Sequence, residues 1–76
     1  MRVLAVEWVD AADVTENWTH LTDLDLDQRT TVTVGHELID LLPGHLVLAQ
    51  SVCGDMVDNV MQIPMGMVRS TVVLAP

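Results

Sequence analysis

The sequence predicts an all-β fold, five short strands of one small, strongly bent barrel with a short helical or irregular insertion after strand 1. Three observations carry this. Apolar residues alternate with period two over residues 3–9 and again over 30–40. A turn signal, Leu42-Pro43-Gly44-His45, separates two β-rich runs. Two further apolar runs, residues 60–63 and 68–74, are split by Pro64.

Residues 3–9 place Leu4, Val6 and Trp8 on one face and Val3, Ala5 and Val9 with Glu7 on the other. Both faces are largely apolar, which points to a strand covered twice, by the core and by a neighbouring subunit. Asp10 ends it. Asp13 and Glu16 have the spacing of a capping box, which predicts a short helical turn through Asn17 and Trp18. Trp18 is expected to lie back across the barrel as a lid. Asp23, Asp25 and Asp27 then alternate with Leu24 and Leu26, as in an exposed strand or extended loop.

In residues 30–40, Val32, Val34 and Leu38 share one side, and Gly35 in mid-strand predicts a bulge or sharp bend. Pro43 presets one corner of the next turn and Gly44 takes a positive φ at the other. The third strand covers residues 45–52, with either Leu46 and Leu48 or Val47 and Ala49 pointing inward. Residues 54–59 read as a polar loop, and 60–63 as the fourth strand, stopped by Pro64, which has no N–H for a ladder. Pro64-Met65-Gly66-Met67 fits one 3₁₀ turn, and residues 68–74 close the sheet. Strand, bent strand, hairpin, strand, 3₁₀ turn, strand is the order of an SH3-like barrel.

Composition narrows the function. The 76 residues make a single domain, 1–76, in which half the residues are hydrophobic but only Trp8 and Trp18 are aromatic. So much aliphatic material in so short a chain predicts self-association. Eleven carboxylates face Arg2, Arg29 and Arg69, with no lysine, for a formal charge of −8. Nucleic acids and anionic membranes are therefore disfavoured as partners, and no DNA binding is expected. One cysteine, Cys53, rules out an internal disulfide and reads as a small buried hydrophobe in a reducing, cytoplasmic setting. No secretory leader is read at the start, and no apolar run reaches the length of a membrane span.

At its closing segment, residues 59–73 with Ser70-Thr71-Val72-Val73, the chain resembles the Sm-like (LSm) family, in particular the last hairpin of bacterial Sm-like RNA chaperones. Gly35 followed by Leu38 and Asp40 resembles the first Sm motif. The pattern of VEW and later IPMGMVRS also resembles small uncharacterised proteins of tailed bacteriophages, implying a bacterial host or phage-infected cell. The resemblance implies a ring of copies in which the fourth strand of one subunit pairs with the fifth of the next. Val60, Met61, Ile63, Val68, Ser70 and Val72 would then form the interface. It does not carry RNA binding with it. Gly66 and Met67 stand where those chaperones have a Lys-His pair, and His45, Leu46 and Val47 lie near the place of the RNA-contacting asparagine.

Candidate sites are few. His45, Gly66, Met67 and Arg69 are the ligand-binding candidates by position. Asp23, Asp25 and Asp27 are the metal candidates, since alternate carboxylates share a face. Gln28 stands where a calcium loop has glycine, and Val34 where it has its closing glutamate. His20, His36 and His45 have no zinc spacing, and Ser51, Ser70 and Cys53 have no base-and-orienter set. Of five methionines, four fall between Met56 and Met67 and read as core and subunit filler. No catalysis and no cofactor is expected. The leading expectation is a non-enzymatic, ring-forming interaction module. The alternatives are an RNA- or nucleotide-binding ring, supported by fold analogy only, or a viral accessory protein that sequesters a small ligand.

Overall fold

The structure, a computed structural model, describes residues 1–10, 17–24, 26 and 29–76. Five strands are present: β1 (Val3–Val9), β2 (Thr30–Glu37), β3 (His45–Cys53), β4 (Met56–Pro64) and β5 (Val68–Ala75). They form one antiparallel sheet in the order β4-β3-β2-β1-β5. The chain is all-β, its helical content among the described residues being single 3₁₀ turns at Leu21–Asp23 and Met65–Met67. The proposed capping-box residues Asp13 and Glu16 lie outside the described residues. Asn17 and Trp18 themselves are not helical, and a separate 3₁₀ turn covers Leu21–Asp23.

Opposed residues in an antiparallel pair share a face, so the register defines the two sides of the sheet. Leu4, Val6 and Trp8 lie on the same face as Gly35, Thr33 and Thr31 of β2 and Val73, Thr71 and Val68 of β5. That face curls over the core. Leu4 and Val6 of β1 pack with Leu48 of β3 and Ile63 of β4, and Trp8, Leu46 and Val68 pack around them. Residues of β1 can meet those of β3 and β4, two and three strands along, only if the sheet is strongly curved. The Trp8 Nε1–H donates to Thr33 Oγ1 at 3.0 Å, and the Thr33 hydroxyl lies 3.8 Å from Met61 Sδ, spanning the same concavity. The ladders leave β4 and β5 at opposite edges, not paired with each other.

Gly35 explains how β2 serves two neighbours. Its conformation is ordinary, but a Cβ there would lie 3.0 Å from the Ala49 carbonyl oxygen and 3.1 Å from Leu48 Cβ. Only a residue without a side chain lets β3 approach so closely. β2 pairs with β1 from Thr30 to His36 and passes to β3 at His36 and Glu37. Beside this crossover Arg2 grips Glu37, with Nε 2.9 Å from Oε1 and Nη2 3.0 Å from Oε2, and the Glu37 N–H donates to the Arg2 carbonyl at 2.8 Å. The turn after β2 is as predicted: Gly44 has φ +73° and the His45 N–H donates to the Leu42 carbonyl at 3.3 Å.

Four expectations need correction. Residues 54–59 are not a loop. Cys53 pairs with Met56 across Gly54-Asp55, with Gly54 at φ +60°, so the polar stretch is a two-residue hairpin turn and the first half of β4. Strand alternation tolerates Asp58 and Asn59 because this part of the hairpin is solvated. Trp18 is not a lid: its side chain is fully exposed, and Trp8 takes the packing role. Cys53 is exposed at the hairpin end rather than buried. Nor are the methionines core filler, since Met56, Met61, Met65 and Met67 are all exposed. Of the two alternatives for β3, the core holds Leu48 with Leu46 packed against it, while Val47 and Ala49 are buried outside that cluster.

Candidate functional site

The surface is dominated by what the sheet leaves uncovered. β4 exposes every residue except Ile63, and β5 exposes Arg69 through Leu74. Both are edge strands, so one side of each backbone has no ladder partner among the described residues. Among the expected interface residues, Val60, Met61, Ser70 and Val72 are exposed and Val68 is half-buried against Trp8. Ile63 differs: its side chain is wholly buried in the protomer's own core, because the curvature of the sheet turns this end of β4 inward. Only its backbone edge remains for a neighbour.

On the outer face a second apolar feature emerges that the sequence reading did not isolate. Ala5 stands between Val34 on β2 and Val72 on β5, making a row across three strands. Val34 is 45% and Val72 56% exposed, and Val32, further along β2, is 61% exposed. Alternation in β1 hinted at a twice-covered strand, but membership of the row depends on register, which no single strand's pattern states.

The ligand candidates are only partly assembled. His45 shares a cavity of about 350 Å³ with Asp40, Leu42, Pro43, Gly44 and Met65. Its Nδ1 lies 2.9 Å from the Pro43 carbonyl oxygen. A carbonyl can only accept, so in this contact Nδ1 carries a proton. The Met65 N–H donates to the Gly44 carbonyl at 2.9 Å, tying the 3₁₀ turn to the wall of this cavity. Gly66 and Met67 follow in that turn, while Arg69 sits beyond it on β5 and does not line the cavity. Asp40, at φ +59°, was missed as a lining residue; it was read only as part of a motif. A more apolar hollow of about 320 Å³ is lined by Met1, Glu37, Leu38, Ile39 and Leu41.

Of the metal candidates, Asp23 is exposed at the end of the first 3₁₀ turn, and Asp25 and Asp27 lie outside the described residues. No group of three His, Cys, Asp or Glu side chains is placed to hold a metal ion among the described residues. No helix among them is long and apolar enough to cross a membrane.

These features define a class: a small, curled, single-sheet β-module with two bare edges and apolar surface on both faces. Compared with known proteins, the chain matches no family model, and neither a curated protein nor a solved structure matches it significantly.

Proposed function

We propose that this chain is a non-enzymatic, self-assembling interaction module, an SH3-like barrel of Sm-like type whose open edges are closed by sister copies in a ring. The observation that carries the reading is the surface. The chain exposes 5925 Å², whereas a compact protein of 8.4 kDa exposes about 4,600 Å². The excess, about 1,300 Å², is larger than the ~800 Å² that each partner contributes to a standard stable interface. The radius of gyration, 15.8 Å, likewise exceeds the roughly 11 Å expected of a compact chain of this length. Pairing β4 of one copy with β5 of the next is head-to-tail, and a head-to-tail contact that closes produces a ring.

Size-exclusion chromatography with multi-angle light scattering tests this. A mass of several times 8.4 kDa at micromolar concentration is expected, and a monomer refutes it. A second reading, sequestration of a small ligand, draws on the His45 cavity, where Asp40 and the His45 ring line one hollow and the carboxylate suits a ligand with N–H or O–H donors. Nucleotide or RNA binding is opposed by the charge of −8. Fluorescence anisotropy with short oligo-U and oligo-A at low salt is expected to show no binding.

A further inference from the structure

The β3–β4 hairpin has two unlike halves. Near the core, β3 is flanked by β2 on one side and β4 on the other, and Val47, Leu48 and Ala49 are buried. Pairing with β2 runs only through Leu48 and Ala49, with one further bond from the Leu38 N–H to the Val47 carbonyl. Beyond this point the Gln50 side chain makes the remaining link, its Nε2–H donating to the Val34 carbonyl at 2.6 Å. Residues 50–59 therefore continue as a two-stranded arm. The ladder omits the Gln50–Asn59 pair, and Asn59 has φ +51°, so the arm begins at a local break in regular strand geometry.

An isolated two-stranded hairpin is marginal in water, and this one carries apolar residues on both faces. Val52 and Val57 oppose each other on one side, and Met56 lies on the other beside Cys53. Met56 is 71% and Val57 44% exposed. The molecule measures 52 Å along one axis and about 20 Å along the others, so its excess surface is that of an extended object rather than of a rough globule.

We infer that residues 50–59 form an arm that docks on a second copy of the chain, with its Val52 and Val57 face covering the outward row Val34–Ala5–Val72. This rests on the self-assembly reading and adds a face contact to the edge pairing. Two observations select a sister copy as the occupant. The unburied area matches what a stable interface between copies removes. Both apolar surfaces belong to the same chain and neither covers the other, since β4 packs principally on β3 and the row lies on β2, β1 and β5.

Cys53 lies on the face opposite Val52 and Val57, so it is replaced by serine and the test thiol is placed at Val52. A Val52→Cys/Cys53→Ser variant is mixed and equilibrated with a mass-tagged Cys53→Ser/Val72→Cys variant, then oxidised gently. Each variant carries a single thiol, so a mixed disulfide joins position 52 of one copy to position 72 of another. A strong mixed-dimer band is expected, and Val57→Asp is expected to weaken self-association about tenfold or more, as a charge enters an apolar contact. Val57→Thr, which preserves shape and strand preference, serves if the aspartate disturbs folding by circular dichroism, and is expected to weaken association in the same direction. If copies associate but no mixed disulfide forms, or if neither Val57 variant alters association, the arm does not dock as inferred while edge pairing stands. A strictly monomeric chain overturns both.

Discussion

Gly35→Ala is the sharpest probe of how this sheet holds together. The new methyl would sit 3.0 Å from the Ala49 carbonyl oxygen and 3.1 Å from Leu48 Cβ. Neither neighbour is the free end of a flexible side chain: one is backbone, the other a Cβ, and both residues are fully buried. β3 must move away from β2 at the crossover where His36 and Glu37 pair with it. Overpacking of this kind costs about 1–3 kcal/mol, and the rigid neighbours place the cost in the upper part of that range. Against it, alanine recovers roughly 0.5–1 kcal/mol of unfolded-state entropy. The net expectation is about 1.5–2 kcal/mol of destabilisation, a large share of the roughly 4–11 kcal/mol typical of a chain this long. Urea unfolding followed by tryptophan fluorescence reads it, with Trp8 as the half-buried reporter and Trp18 as an exposed background. With a slope near the ~1 kcal/mol/M of the smallest domains, the midpoint should fall by about 1.5–2 M. Gly66→Ala is the internal control, since nothing lies within 4 Å of its added Cβ. It should leave the midpoint unchanged or raise it slightly. If the two variants shift the midpoint equally, the close approach at Gly35 does not govern the bend.

Two further outcomes follow from particular contacts. Ile63→Ala should cost about 2–5 kcal/mol in chemical denaturation, because this side chain belongs to the protomer's own core; a loss under 0.5 kcal/mol would return it to the surface. A double-mutant cycle on Arg2→Ala and Glu37→Ala should give a coupling of about 0.5–1 kcal/mol that shrinks in high salt, the half-exposed guanidinium limiting the gain, and a zero coupling would discount the paired geometry.

Much of the strand order was legible because its signals are local. Period-two alternation marked β1 and β2, Pro43-Gly44 marked the turn between β2 and β3, and Pro64 marked the end of β4. The start of β4 is hard to see in the sequence because Asp55, Asp58 and Asn59 are polar and mask the Gly-Asp pair that makes a two-residue turn. Trp18 was misplaced for a different reason. Size and hydrophobicity state a preference for burial, but whether a side chain reaches a core depends on the path of the chain around it.

Composition and local pattern by themselves marked an aliphatic, acidic chain of short strands. Local dihedral preference and side-chain chemistry suffice for those statements. Tertiary structure alone decided that Ile63 faces inward while Met56 and Val57 do not, that Val34, Ala5 and Val72 line up, and that β4 continues as an arm. Each of these depends on register and curvature, which arise from contacts between residues far apart in sequence and have no signature in any one segment.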